Sequence, residues 1–312
     1  MIEIVKYIFR RIVSLVPVLL IISFLSFSLM SVASGDPAER LLTSQGTVVT
    51  PEVLEAVRSE MGLDQPFHVQ YFNWLKNALR GDLGNSYGSG MKVSKELMDH
   101  LPYTIALTTC SMALSLVVSV PLGILSAIKK NRFTDYLIRF FTFIGNAIPG
   151  FLLGLILLLV FSLKLRWLPI LSGSGVKSII LPSVTLSFAI VSKYIRQIRA
   201  AVLEELNKNY VRGARSRGVR EGIILYRNVL KNIMVTVITL TGLSVGSLLG
   251  GSAVVESIFL WPGTGSMVVT AIANRDYLLI QGYVLVMGVV FVTVNLITDI
   301  LYRVVDPRVR ER

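Results

Sequence analysis

Residues 104–128 read TIALTTCSMALSLVVSVPLGILSAI and contain no charged side chain. An uncharged run of this length exceeds the roughly 20 residues that a helix needs to cross the hydrocarbon core of a bilayer. A helix is the expected conformation, because lipid offers no hydrogen-bond partners and every backbone N–H and C=O must be satisfied within the segment. The stretch therefore predicts a membrane-spanning helix.

The rest of the chain repeats this pattern. Of its 312 residues, 53% are hydrophobic and only 16% are charged, a composition typical of a protein that has lipid as its solvent. Further uncharged runs occupy 12–35, 140–163, 232–255 and 277–298, and a shorter one occupies 178–192. We predict an all-α integral membrane protein with six transmembrane helices, over about 10–32, 103–128, 137–163, 178–200, 232–255 and 278–303.

The basic residues are concentrated in alternate loops. If six spans place both termini in the cytoplasm, 21 Lys and Arg residues lie on the cytoplasmic side and 10 on the other side. This bias follows the positive-inside rule, which sets the orientation of membrane proteins. We therefore attribute the net charge of +12 to topology and expect no nucleic-acid partner.

Polarity divides the chain into three segments. Residues 1–35 hold the N-terminus and the first span, 36–100 are predicted to form a small extracytoplasmic helical insertion, and 101–312 form the core with a cytosolic loop over 201–231. In the insertion, Thr50-Pro51-Glu52 is typical of a helix N-terminus, with a capping hydroxyl followed by proline. A second amphipathic helix is predicted after Pro66, with Phe67, Tyr71, Leu75 and Leu79 on one face.

Several kinds of chemistry have no sequence signal. The chain lacks the GxxxxGK[ST] phosphate loop and the HExxH zinc motif, and neither His68 nor His100 has a ligand partner at helical spacing. We therefore expect no catalytic residue, no metal site and no cofactor in this chain. Cys110 is expected to be buried. No ionisable residue lies deep in a predicted span, which argues against a proton-driven transporter. Energy for transport would then come from a partner.

The cytosolic loop contains a candidate docking helix. Residues 203–219 read LEELNKNYVRGARSRGV. Asn207 or Asn209 could cap a short helix over 210–217, and Gly218 could end it in a left-handed turn. Tyr210 and two small or apolar residues share one face, beside arginines. From the pattern alone, this segment is equally an ordinary basic loop or a docking element.

The stretch from Tyr210 to Gly218 resembles the cytosolic "EAA" loop of bacterial ABC importer permeases, in the variant form of the peptide/nickel family. Ala214 and Gly218 match the family pattern, whereas Arg212 and Gly213 replace its first acid and alanine. A proline that is usual further downstream is absent from 233–235.

The resemblance covers nearly the whole chain. Residues 62–66 with 69–71, and Thr50-Pro51-Glu52 upstream, are most similar to the nickel-import permease. The other matching motifs are Arg10-Arg11, Gly35-Asp36-Pro37, Gly81-Asp82-Leu83-Gly84, Leu181-Pro182, Gly250-Gly251, Glu256-Ser257-Ile258-Phe259, Trp261-Pro262-Gly263, Asn274-Arg275-Asp276-Tyr277 and Asp306-Pro307-Arg308.

The resemblance implies the type I importer permease fold in the bacterial plasma (inner) membrane. It implies a second homologous permease subunit, two ABC ATPase subunits that bind ATP and Mg, and an extracytoplasmic solute-binding protein. The cargo suggested is nickel or a metal chelate, and the alternative cargo is di- or oligopeptides. For the protein itself, the alternative of a different class is a secondary transporter. The ATPase-coupling residues it suggests are Tyr210, Val211, Arg212, Ala214, Arg215, Arg217 and Gly218.

Two features suit a translocation path or close helix packing. Gly242, Gly246 and Gly250 recur every four residues, and small residues at this spacing let helix backbones approach closely. The neighbour would be a helix of the same subunit or of the second permease. Pro149 is predicted to kink the third span, as part of a cavity wall or as a simple bend.

Overall fold

The computed structural model of the chain describes residues 2–32, 36–44, 46, 48–170 and 175–305, without the side chains of 2–12, 14, 15, 44 and 301–305. The predicted motif residues Gly35 and Asp306-Pro307-Arg308 lie outside the described residues. Within these ranges the backbone is mostly helical, and its only β pairing is one isolated bridge between Asn85 and Lys92. The all-α prediction is confirmed.

The described residues form thirteen α-helices. They are α1 (Ile2–Val32), α2 (Pro37–Ser44), α3 (Pro51–Glu60), α4 (Phe67–Ala78), α5 (Val93–Ile128), α6 (Phe133–Ala147), α7 (Gly150–Leu157), α8 (Ile180–Leu206), α9 (Asn209–Ser216), α10 (Glu221–Ile223), α11 (Leu230–Ile258), α12 (Thr264–Ala273) and α13 (Tyr277–Val305). Wider helical turns continue α7 over Leu158–Lys164 and join α10 to α11 over Ile224–Val229.

Four helical stretches are long and apolar enough to cross a membrane: Val93–Ile128, Val176–Leu206, Glu221–Ile258 and Tyr277–Ile300. Two bent pairs of helices raise the number to six, if each pair is one span. The first pair joins Val16–Val32 to Pro37–Thr43 and the second joins α6 to Gly150–Lys164. Length and composition thus agree with the six predicted spans.

The third predicted span is broken at its proline. The helix axis turns by 101° between α6 and the following helix. Ile148 is extended, with φ −82° and ψ 124°, because a residue before proline is disfavoured in the helical region. Pro149 comes directly before α7, and at the start of a helix its missing N–H removes no helix hydrogen bond. The predicted kink at Pro149 is therefore present, and it separates two helices.

The insertion contains both predicted helices. Thr50 caps α3, and its Oγ1 accepts a hydrogen bond of 3.4 Å from the N–H of Val53. In α4 the predicted face is only partly correct. Leu79 is 81% exposed, whereas Tyr71 and Trp74 are buried against Phe27 of α1. The aromatic packing, and not the fourth-residue spacing, decides which side of α4 faces inward.

The described residues pack into two compact units, Met1–Thr104 with Pro262–Thr293, and Ile105–Trp261 with Val294–Arg312. Each unit has its own buried apolar cluster. This grouping follows packing, whereas the segments 1–35, 36–100 and 101–312 follow polarity and stay a prediction. Cys110, expected to be buried, is exposed on α5. It lies on a side of the helix that other parts of its unit do not cover.

Candidate coupling segment

The short helix predicted in the cytosolic loop is present as α9, and neither predicted asparagine caps it. Asn207 ends α8, and Lys208 is the residue before the first turn of α9, with no side-chain cap among the described residues. Asn209 is already helical. The reason is the length of α8, which runs to Leu206 and leaves only two residues between the helices.

The C-terminal end of α9 is the left-handed turn that the sequence predicts. Gly218 has φ +70°, a region that is readily adopted only by glycine. Its N–H donates to the carbonyl of Arg215 at 2.9 Å, and the N–H of Val219 donates to the carbonyl of Ala214 at 3.2 Å. These two bonds make a Schellman motif, which satisfies carbonyls that the helix end leaves free.

The inner face of α9 packs on the core of its own unit. Val211 is fully buried and Ala214 is 3% exposed, in a cluster with Val202 and Ile224. The coupling role suggested for Ala214 stays a prediction, and its side chain is buried against its own unit. An eight-residue helix has one apolar face, and here that face is used to attach the segment to its own chain. Val211 and Ala214 position α9.

The outer face of α9 is polar and basic. Arg215 pairs with Glu221 through two hydrogen bonds, Nε to Oε1 at 2.6 Å and Nη2 to Oε2 at 3.1 Å. Arg212 and Arg217 are exposed, and neither is paired with an acid among the described residues. Gly218 is exposed as well, and a Cβ placed there would meet nothing within 4 Å. In the described part of the chain this surface is exposed, polar and positively charged.

A buried carboxylate joins α9 to the helices on both sides of it. Glu205 of α8 accepts hydrogen bonds from Tyr210 Oη at 2.7 Å, from Asn232 Nδ2 of α11 at 3.1 Å, and from Lys208 Nζ. Asn232 Nδ2 also donates to Tyr210 Oη at 3.2 Å. Burial and the neighbouring Glu205 carboxylate raise the pKa of Tyr210 to about 12, so its hydroxyl remains a donor at physiological pH. These hydrogen bonds link α9 to two long helices, α8 and α11.

Sequence reasoning missed Glu205, although a signal was present. Glu205 lies seven residues after the buried Ile198 and three residues after the buried Val202, so it is on the same face of α8 as both. An acid on such a face requires polar partners, because burying an unpaired charge is costly. Tyr210 is one of the suggested ATPase-coupling residues. Its side chain is 36% exposed and its hydroxyl is already used within the chain.

A second buried carboxylate lies near the start of α6. Asp135 is fully buried and receives two hydrogen bonds from Arg199 of α8, both of 2.8 Å. Ser126 Oγ donates to it at 2.6 Å, and the N–H of Asn131 donates at 3.0 Å. This ion pair ties the turn after α5 and the start of α6 to α8. It was not predicted, since its members are 64 residues apart.

The glycines of α11 do not form one uniform packing face. A Cβ on Gly242 would lie 2.0 Å from Thr298 Cγ2 of α13, a residue of the same unit, so the two helices approach closely there. A Cβ on Gly250 would meet nothing within 4 Å among the described residues, and Gly250 is exposed. Gly246 is half-buried between them. Close packing within the subunit is therefore shown at Gly242 and not at Gly250.

Comparison with known proteins identifies the family. The family "binding-protein-dependent transport system inner membrane component" matches residues 119–311, and its N-terminal counterpart, "Binding-prot-dependent transport system membrane comp, N-term", matches residues 4–108. The chain is a member of this family. It is a permease subunit of an ABC importer, in the peptide/nickel group of such permeases, as the sequence motifs indicate.

Full-length relatives support the assignment. The permease is 38% identical to the glutathione transport system permease protein GsiC of Escherichia coli O6:H1 and to that of Salmonella typhimurium strain LT2. Each match covers 98% of this chain and 99% of the relative. Because these relatives are transport permease subunits, the permease is a multi-pass inner-membrane protein and no enzymatic activity is expected.

Solved structures support the fold. Two inward-facing crystal forms of the MetNI methionine ABC transporter match with TM-scores of 0.53 and 0.55 at 15% and 17% identity. They cover 67% and 68% of the permease and 96% of the matched chain. The predicted type I importer permease fold is confirmed, and the alternative of a secondary transporter is set aside by family membership.

Proposed function

We propose that the permease forms half of the translocation path of an importer for small peptides of the size of glutathione. The observation that carries this proposal is the 38% identity to glutathione permeases over 98% of the chain. The nickel prediction depended on a similarity of residues 50–52, 62–66 and 69–71, and these relatives do not support it. The alternative of peptide import is therefore the better interpretation.

The proposed assembly contains a second homologous permease, two ATPase subunits that bind ATP and Mg, and an extracytoplasmic binding protein. Family membership supports the ATPase and the binding protein in general terms. Both chain termini and α9 lie in the cytoplasm in this proposal, and residues 36–100 lie outside. The basic outer face of α9, with Arg212, Arg217 and Gly218, meets the ATPase.

In this mechanism α9 acts as the coupling element. ATP binding moves the ATPase subunits together, and α9 moves with them. Val211 and Ala214 attach α9 to the core of its unit, and the Glu205–Tyr210–Asn232 hydrogen bonds attach it to α8 and α11. The rearrangement of these helices exposes the path alternately to each side. It is a two-state equilibrium that nucleotide and loaded binding protein both bias.

Uptake by cells tests the proposed function. Deletion of the gene is expected to abolish uptake of radiolabelled glutathione or of a dipeptide, and to leave nickel accumulation unchanged. A plasmid copy of the gene should restore the uptake, which controls for effects on neighbouring genes. Lost nickel accumulation with normal peptide uptake would return the cargo to the nickel prediction.

A further inference from the structure

Helix α6 has a packed side and a broad exposed apolar side. The packed side consists of four buried residues, Asp135, Ile138, Thr142 and Gly145. The large side chains on the other side are mostly aromatic and are 43–80% exposed: Phe133, Tyr136, Leu137, Phe140, Phe141 and Phe143. The described part of the chain leaves this side uncovered. Because α6 belongs to a bent pair that is apolar enough to cross a membrane, lipid is the expected neighbour of this side.

Exposed basic residues border the apolar side of α6. Lys130 and Arg132 lie in the turn before the helix, and Arg139 follows Arg132 by about two helical turns. The guanidinium of Arg139 lies 5.7 Å from the centre of the Tyr136 ring, in a cation–π contact that holds it beside the aromatic side chains. In the part of the chain that the structure describes, none of these three basic residues forms an ion pair.

The acid closest to them in the sequence does not cancel this charge. Asp135 is the single acidic residue between Asp99 and Glu204. Its carboxylate is buried and accepts two hydrogen bonds from Arg199, so its charge is already compensated within the chain. A surface that combines exposed cations with no exposed acid attracts an anionic partner.

The arrangement favours a lipid over an acidic protein as that partner. A phospholipid presents its phosphate at the membrane surface and its acyl chains below it. Here the basic turn is followed by exposed apolar side chains over about three helical turns, from Phe133 to Phe143. Arginine binds phosphate through two parallel hydrogen bonds, and tyrosine is enriched at the level of the headgroups. An acidic protein surface would complement the basic residues only.

We propose that α6 and the turn before it bind an anionic phospholipid, with its phosphate at Arg132 and Arg139 and its acyl chains along the phenylalanines. The long side chain of Arg139 can reach the level of the phosphate from its position further along the helix. Asp135 holds the turn in place before the lipid binds, because it accepts hydrogen bonds from Ser126 and from the N–H of Asn131. The site does not depend on which cargo is transported.

Native mass spectrometry of the purified permease in detergent tests the site. The protein is titrated with equal amounts of phosphatidylglycerol, which is anionic, and phosphatidylcholine, which has no net charge. The ratio of the two bound lipids is measured, and the wild type should prefer phosphatidylglycerol. Arg132→Gln and Arg139→Gln should each lower this preference about fivefold, the usual contribution of one basic residue near an anionic lipid surface. The double variant should abolish it.

The double variant Arg212→Gln/Arg217→Gln is the matched control. It removes the same charge and the same residue type from the polar outer face of α9, and it should keep the preference of the wild type. A second control is an excess of sn-glycerol 3-phosphate, which carries the phosphate without acyl chains and should not displace bound phosphatidylglycerol. All variants should keep the unfolding midpoint of the wild type, since each changed side chain is exposed.

Four outcomes would overturn the proposal. Equal binding of the two lipids by the wild type, or an unchanged preference in the α6 double variant, would remove the site. An equal loss of preference in the α9 double variant would mean that net charge alone attracts the lipid. Displacement by sn-glycerol 3-phosphate would indicate a site for free phosphate. If the α6 double variant instead lost co-purifying subunits while its lipid preference stayed unchanged, the surface would belong to a protein partner.

Discussion

Substitution of Gly218 separates the fold of α9 from its proposed contact with the ATPase. Gly218→Asp places a negative side chain on the exposed basic surface near Arg212 and Arg217. A Cβ at Gly218 has nothing within 4 Å among the described residues, so the substitution does not crowd the packing of α9. An effect on transport would therefore originate in a partner contact or in the strained backbone.

The backbone cost can be estimated from the structure. Gly218 has φ +70°, and the left-handed conformation costs an ordinary residue about 1–2 kcal/mol. Asp and Asn tolerate this conformation better than other residues, so about 1 kcal/mol is expected for either. Gly213→Ala is the control in which the change in backbone free energy has the opposite sign. Gly213 lies within α9 with open space around it, and alanine there should stabilise the helix by about 1 kcal/mol.

Four measurements distinguish the contributions: membrane insertion, the unfolding midpoint, peptide uptake and the stimulation of ATP hydrolysis. Gly218→Asp, Gly218→Asn and Gly213→Ala should all insert into the membrane and keep unfolding midpoints close to that of the wild type. Gly218→Asp should abolish peptide uptake and the stimulation of ATP hydrolysis by loaded binding protein. Gly218→Asn, with the same bulk and no charge, should retain part of both, and Gly213→Ala should retain both. Wild-type uptake by Gly218→Asp would refute the assignment of α9 as the coupling element.

Four further substitutions test the packing around α9 and the long helices, each by the thermal unfolding midpoint of the purified chain. Tyr210→Phe removes a donor to the buried Glu205 carboxylate and should cost about 1.5–3 kcal/mol, and an unchanged midpoint would mean that the bond contributes nothing. Gly242→Val should cost about 1–3 kcal/mol by overpacking, whereas Gly250→Val should cost little, and equal effects would contradict the split glycine stripe. Asp135→Asn deprives a guanidinium of its buried partner and should cost about 3 kcal/mol, and a loss below 1 kcal/mol would mean that the pair is solvated.

Much of the fold is predictable from local sequence. The six apolar runs predict the spans, because the length and polarity of a segment decide by themselves whether it can cross lipid. Thr50 predicts the start of α3 and Gly218 the end of α9, since capping and left-handed turns involve only neighbouring residues. Pro149 predicts the break between α6 and α7 for the same reason.

The candidate site is less predictable. The position of α9 follows from its sequence to within one residue, but its orientation does not. An i, i+3 apolar pair such as Val211 and Ala214 can face a partner or the chain's own core with the same periodicity. Only the packing of α9 on α8 and α11 shows that the pair faces inward, and this leaves the arginines as the outer surface.

The sequence by itself determined the class of protein, its spans and the ends of several helices, because hydrophobicity and backbone preference act over a few residues. The tertiary structure decided which distant groups become neighbours. Glu205 meets Asn232 across 27 residues, and Asp135 meets Arg199 across 64. A buried polar atom takes whichever partner the packing of helices brings within reach, and that choice has no local signature in the sequence.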